Sequence, residues 1–179
     1  MDGVTAAELR ALLDKQAITE LVYKMARAVD RCDAPLMHSL FHPDATDDHG
    51  MFQGSAQDFV PWVMDVLANM DATQHLIGNI LIEIEGDRAS SETYFVAHHR
   101  IASARGNGFI AAEAGAPDQF MVAGGRYLDR FERRNGQWRF SHRHAVYDWN
   151  TENPSTDTWD RAALATWAFG TRGTDDASY

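Results

Sequence analysis

The chain of 179 residues is 45% hydrophobic and 23% charged, the balance of a single globular domain with a real core, which excludes a disordered tail. Its 26 acidic and 16 basic residues leave a formal net charge of -10, so the phosphate backbone of a nucleic acid or an anionic membrane face is repelled. No apolar run reaches the roughly 18 residues a membrane helix needs, and Met1-Asp2-Gly3-Val4-Thr5 lacks the start of a signal peptide, so the expected compartment is the cytoplasm.

Thr5 and Glu8 have capping-box spacing, in which hydroxyl and carboxylate satisfy free backbone donors, and predict a helix start. Leu9, Leu12, Leu13, Ile18, Leu21, Val22, Met25 and Val29 then recur at helical spacing to about Arg31. Asp33 followed by Pro35 reads as a fresh N-cap with proline in the first turn, opening a short helix that Pro43 ends. Thr46 to Gln53 is too polar and brief for a helix and reads as extended. Ser55 with Asp58 caps a third helix, whose stripe is Phe59, Val60, Val63, Leu67 and Met70.

Past Asp71 the period falls to two. Ile80, Ile82 and Ile84 alternate with Leu81, Glu83 and Glu85, and Gly86-Asp87 turns the chain into a second run from Ala89 to Ile101. Residues 103–118 read as a loop of unusual length. Gln119 to Arg134 and Gln137 to Trp149 flank Asn135-Gly136, a hairpin signal because both turn positions take positive φ. A short helix is expected around Asp157 to Phe169, in a tail that wraps the domain or reaches an oligomer interface. Helices first and antiparallel strands afterwards predict an α+β domain over 1–149, with helices on one face of a curved sheet, and an extension over 150–179. The fingerprints GxGxxG, GxxxxGK[ST] and GxSxG do not occur.

Chemistry must come from residues other than a cysteine cluster, because Cys32 is the single cysteine and reads as a packing residue. Eight histidines are the compositional feature to follow. On the last strand His142 and His144 share one parity while Arg143, Ala145 and Tyr147 share the other, and periodicity does not name the inner face. Asp30 lies on the flank of the first helix's apolar stripe. By itself it reads as a solvated carboxylate at a helix end, although the helix C-terminus is electrostatically the wrong place for a negative charge. His75 reads equally as a core or loop histidine. The aromatic residues, among them Trp62, Phe59 and Trp138, are ordinary core unless they face a cavity.

Ala28-Val29-Asp30-Arg31, Phe41-His42-Pro43-Asp44-Ala45, Thr73-Gln74-His75-Leu76-Ile77-Gly78-Asn79, Gly125-Arg126-Tyr127 and Phe131 through Phe140 follow in an order and spacing that resembles the SnoaL-like branch of the nuclear transport factor 2-like superfamily. Within it the pattern is most similar to gamma-hexachlorocyclohexane dehydrochlorinase, scytalone dehydratase and bile acid 7-alpha-dehydratase. The resemblance implies a cystatin-like α+β barrel, a cone-shaped curved antiparallel or mixed sheet wrapped around the N-terminal helices, and a homo-oligomer, trimer or dimer. It also implies a catalytic dyad of Asp30 and His75 with Arg143 as a pocket arginine, which turns Arg143, Ala145 and Tyr147 inward. Phe95, Ala97 and His99 would face the cavity, Asp47 and His49 would line its mouth, and Gly125 and Tyr147 would contact substrate. The lysine that the dehydrochlorinase has one turn before its aspartate corresponds to Met25, so one electrophilic contact is missing and Arg143 or His99 is the expected substitute.

The implied activity is a cofactor-independent lyase, a dehydratase or related elimination, or an isomerase, acting on a small hydrophobic molecule without a metal. Two rival readings use the same residues. In one, His49, His75, His99 and Asp47 converge on a metal ion. In the other, the cavity belongs to a noncatalytic binding module or structural subunit, whose sign is an Asp30–His75 pair too far apart to hydrogen-bond.

Overall fold

The computed structural model describes residues 3–101 and 117–179, so nearly all of the expected long loop lies outside the described residues. Helix α1 (Ala6–Arg31) starts at the predicted capping box: the Glu8 N–H donates to Thr5 Oγ1 at 3.2 Å, and the Thr5 N–H donates back to the Glu8 carboxylate at 2.9 Å. Its buried face is Ile18, Val22, Met25 and Ala28. It ends at Cys32, whose φ of 52° is left-handed and lets the Asp33 N–H reach back to the Ala28 carbonyl. Asp33 caps α2 (Ala34–Leu40), and β1 (Phe41–Asp48) begins at once. The extended reading of 46–53 resolves into the end of β1, a turn at Gly50, and the first residue of β2 (Gln53–Ser55). Ser55 caps α3 (Ala56–Leu67).

Four long strands follow: β3 (Met70–Glu85), β4 (Arg88–Ile101), β5 (Gln119–Arg134) and β6 (Gln137–Pro154), the last running past the expected end at Trp149. Together with β1 and β2 they form one curved, open six-stranded sheet in the order β2-β1-β6-β5-β4-β3, with β1 and β6 the parallel pair in an otherwise antiparallel arrangement. Asn135 and Gly136 carry the positive φ values, 51° and 77°, that the hairpin signal required.

Two of the sheet's register shifts set which side chains of β3 and of the first half of β6 point inward. On β3, Ile77 pairs with Phe95 but Ile80 pairs with Thr93, so one extra residue sits at Gly78-Asn79. The inward set changes there from Thr73, His75 and Ile77 to Ile80, Ile82 and Ile84. On β6, Phe140 pairs with Phe131 but His142 pairs with Arg130, which leaves Ser141 as the extra residue. The buried set changes there from Trp138 and Phe140 to Arg143 and Ala145.

Helix α1 packs against β3 and β6, and α3 packs against β1. The narrow end of the cone is filled by Ile18, Val22, Met37, Phe41, Phe59, Phe131 and Phe140. Truncating a ring such as Phe131 or Phe140 costs about 3–5 kcal/mol in a packed core. Asp14 on α1 ties the helix to the β5–β6 hairpin, accepting from Trp138 Nε1 at 2.9 Å and Arg133 Nη1 at 2.8 Å.

The helix expected around Asp157 to Phe169 does not form, and turns occupy the segment. The Asp160 carboxylate takes the N–H groups of Ala162 and Ala163, and the rings of Trp159, Trp167 and Phe169 pack on one another rather than line a helix face. A single turn pays the cost of nucleation without enough following bonds to recover it. Beyond it the tail returns to the C-terminal end of α1. The Gly173 N–H donates to the Arg31 carbonyl at 2.5 Å, Arg31 pairs with Asp176 at 2.9 Å, and the Tyr179 hydroxyl donates to Asp33 at 2.5 Å. No helix among the described residues is long and apolar enough to cross a membrane.

Candidate active site

Asp30, on the last turn of α1, faces His75 on β3. Its Oδ1 lies 2.7 Å from His75 Nδ1, its Oδ2 accepts the His75 backbone N–H at 2.9 Å, and Thr73 Oγ1 donates to Oδ1 at 3.0 Å. Burial raises the Asp30 pKa, but the bonds from His75 and Thr73 outweigh it and hold the carboxyl below its ordinary range. The carboxylate therefore has its partners despite its place at the negative end of a helix. Arg172 of the tail covers the same spot, with Nη1 donating to the Asp30 carbonyl at 3.1 Å and to Thr73 Oγ1 at 3.0 Å.

With Nδ1 engaged by Asp30, Nε2 is the ring nitrogen that His75 can present to a cavity of about 580 Å³. Apolar side chains of α1 and α3, Met25, Val29, Trp62, Val63 and Val66, form one wall. Phe95, Ala97, Met121, Ala123 and Tyr127 of β4 and β5 form the other, with Tyr147 and Trp149 at the wider end. His99 lies edge-on to His75, with ring centroids 5.8 Å apart. Burial, followed by the nearby His75, pushes the His99 pKa down to about 4, so at neutral pH its ring is an uncharged wall.

A polar row crosses the sheet below the cavity. Asp47, Arg143, Asp129 and Ser91 are register neighbours on β1, β6, β5 and β4. Arg143 gives Nε and Nη2 to the two oxygens of Asp129, both at 2.8 Å, and its guanidinium lies 4.0 Å from the Tyr127 ring centre. Burial pushes the Tyr127 phenol well above its ordinary value, so it remains an O–H donor. Asp47, only 1% exposed, binds His49 Nδ1, and the His49 ring stacks on Phe59 at 4.7 Å.

Most residues expected at the site lie together on this cavity: Met25, His49, His75, Phe95, Ala97, His99, Arg143 and Tyr147 line it. Asp30 and Asp47 stand behind their histidines. Gly125 gives the cavity no side chain; a Cβ there would lie 2.1 Å from the Val146 carbonyl oxygen and 3.0 Å from Phe95, so its contribution is close strand approach beneath that ring. His142 and His144 face the outer side, where His142 meets Thr46 at 2.8 Å and His144 lies 3.9 Å from Asp48. Among the described residues no group of three or more His, Cys, Asp or Glu side chains is placed to hold a metal ion. Sequence reasoning missed Thr73, Asp129 and Arg172. Thr73 had a signal, since it lies two residues before His75 on the same strand face; Arg172 had none, because only the fold of the tail brings it to α1.

Comparison with known proteins follows the same outline. A family model described as a SnoaL-like domain matches residues 10–144. The uncharacterized protein Rv2910c of Mycobacterium tuberculosis is 28% identical over 133 residues, 73% of this chain and 82% of its own length. The crystal structure of LinA superposes with a TM-score of 0.69 at 21% identity, covering 84% of this chain and 95% of that one. The hexachlorocyclohexane dehydrochlorinase LinA-type3 of Novosphingobium barchaimii gives 0.68 at 18% identity, over 82% and 94% of the two chains. At such identities these structures show a shared fold.

Proposed function

The chain belongs to the SnoaL-like domain family, and from that premise we propose that it is a cofactor-independent lyase or isomerase that removes a carbon-bound proton from a small hydrophobic substrate. The observation that carries the reading is the 2.7 Å contact between Asp30 Oδ1 and His75 Nδ1 beside an apolar cavity. A binding module needs no such contact, and the separation expected of one is not present. The hexachlorocyclohexane dehydrochlorinases among the structural neighbours support the same class.

In this reading neutral His75 accepts the proton at Nε2, and Asp30 fixes the tautomer and stabilises the imidazolium that forms. Asp30 is suited to that role because its hydrogen bonds hold it ionised. The Tyr127 hydroxyl and the Arg143–Asp129 pair provide the polar wall against which negative charge develops on the substrate. Arg143 acts there with its charge largely balanced by Asp129. Leu76, Leu81, Tyr94 and Phe120 are exposed on the sheet's strands and support assembly as a homo-oligomer, trimer or dimer.

Proton abstraction is tested with 1-indanone, whose C2 hydrogens are acidified by the carbonyl, incubated with the protein in deuterium oxide and followed by NMR. The wild-type chain is expected to accelerate deuterium uptake, and Asp30→Asn and His75→Ala each to reduce the enzymatic rate by about 100-fold or more. Uptake at the wild-type rate in both variants overturns the assignment.

A further inference from the structure

The cavity holds a second carboxylate-imidazole pair, and nothing in the proton-abstraction step uses it. Asp47 and His49 come from the end of β1 and the turn that follows it, while Asp30 and His75 belong to α1 and β3. In the sheet order β1 and β3 are four strand positions apart, so the two imidazoles reach one 580 Å³ space from different sides. Asp47 binds His49 Nδ1 as Asp30 binds His75 Nδ1, which leaves Nε2 as the His49 nitrogen free for a substrate. The His49 ring is clamped flat on Phe59 at 4.7 Å and lies 6.2 Å from Tyr127, so its orientation is set from both sides. Asp47 itself is nearly sealed from solvent, and its Oδ2 has no hydrogen-bond partner among the described residues. A carboxylate held on Nδ1 stabilises the imidazolium form of such a ring, in which Nε2 carries a proton that it can donate.

We propose that His49, oriented by Asp47, is the general acid of this cavity, and that the substrate class is therefore a carbonyl compound bearing a β-hydroxyl, which loses water. This inference rests on His75 as the base. The step balances: His75 Nε2 takes the proton on the carbon next to the carbonyl, that C–H pair becomes the C=C bond, and the C–O bond breaks. The departing oxygen takes the proton of His49 Nε2 and leaves as water. His75 then returns its proton to solvent and His49 takes one back. A second acid is required for this substrate class because hydroxide leaves poorly, the pKa of water being 15.7, whereas chloride departs without a proton. Asp47 acts through His49 and is a positioning residue.

Two probes separate this acid from the base: 3-hydroxy-1-indanone and 3-chloro-1-indanone, which give the same indenone by losing water or hydrogen chloride. His49→Phe keeps the stack on Phe59 and removes the acid. The expected result is a fall of about 100-fold or more in the ratio of hydroxy to chloro turnover, the range that general acids contribute. An unchanged ratio overturns the proposal, whether or not both rates fall together. Asp47→Asn is the second variant. It is expected to lower kcat on the hydroxy probe with KM little changed, and to release the His49 tautomer, seen in long-range 1H–15N spectra of the imidazoles; a His49 spectrum identical to wild type overturns the pairing. His75→Ala is expected to abolish both eliminations. If it does so while the ratio in His49→Phe stays at the wild-type value, the base stands and the acid fails. If the wild-type chain transforms neither probe and exchanges no C2 hydrogen of 1-indanone, both fall.

Discussion

Asp129 grips Arg143 through two parallel hydrogen bonds of 2.8 Å inside the sheet, and both side chains are almost completely buried. Removing water from two such charges costs several kcal/mol each, and the fork geometry returns most of it only while both partners are present. Arg143→Met alone strands a buried carboxylate and is expected to lower stability by about 3–5 kcal/mol in urea unfolding. The double change Arg143→Met with Asp129→Leu is expected to recover most of that loss. A loss in Arg143→Met much smaller than this shows that the pair carries little of the fold. Activity lost in the single variant must be compared with the double variant before it is assigned to chemistry.

Acid should weaken the fold through His99. Its ring titrates near 4 in the folded chain and near 6.5 when exposed, because burial and then His75 oppose the charge. Between those values the unfolded chain binds the proton and the folded chain does not, so stability is complete above about pH 6.5 and declines toward pH 4. The decline is on the order of 3 kcal/mol. Asp30, whose pKa is lowered, weakens the fold in acid too, but only as pH falls below the ordinary carboxylate range. Urea midpoints of wild type and His99→Phe from pH 7 to 4.5 should therefore converge or cross in favour of the variant; parallel curves contradict the assignment.

Gly125→Ala is expected to be far more damaging than Gly136→Ala. At Gly136 the obstacle is the left-handed φ of 77° with nothing within 4 Å, a cost of about 1 kcal/mol. At Gly125 the new methyl meets the Val146 carbonyl at 2.1 Å, so β5 and β6 must part there, and the Phe95 ring at 3.0 Å must give way as well. A destabilisation of about 2–3 kcal/mol or more is expected in thermal unfolding, with a loss of cavity shape. Equal midpoints for the two variants would count against that contact.

Arg172 fastens the tail to α1 and to the start of β3, with donations to the carbonyls of Val29 and Asp30 and to that of Met70. Arg172→Met should cost about 1.5–3 kcal/mol, the worth of hydrogen bonds from a charged donor. It should also accelerate amide exchange at Gly173, whose N–H is held by the Arg31 carbonyl. Unaltered exchange at Gly173 would show that the tail docks without this guanidinium.

How much of this was readable beforehand depended on whether a signal was local. Thr5 with Glu8, Ser55 with Asp58, and Asn135-Gly136 each act within a few residues, and each appears where the sequence put it. The inner face of the sheet was not local. Alternation carried back from Ile80, Ile82 and Ile84 would turn His75 outward, and alternation carried forward from Trp138 and Phe140 would turn His142 inward. The extra residues at Gly78-Asn79 and Ser141 reverse both results. Phe95, Ala97, His99, Arg143 and Tyr147, which the family resemblance implied to face inward, do line the cavity, although the resemblance located neither irregularity. The Asp129 partner of Arg143 escaped for the same reason, since counting back from the Asn135-Gly136 turn sets Asp129 opposite His142.

The bulge at Ser141 also separates two properties that usually change together. Because Phe140 and His142 already face consecutive positions of β5, a chain lacking Ser141 would keep every later pairing and still direct Arg143 inward. What it would lose is the local bend that an unpaired residue imparts to a strand. A one-codon deletion there would thus flatten the funnel while sparing its functional groups, a route by which descendants of this gene can acquire a wider mouth for bulkier molecules with the same chemistry inside.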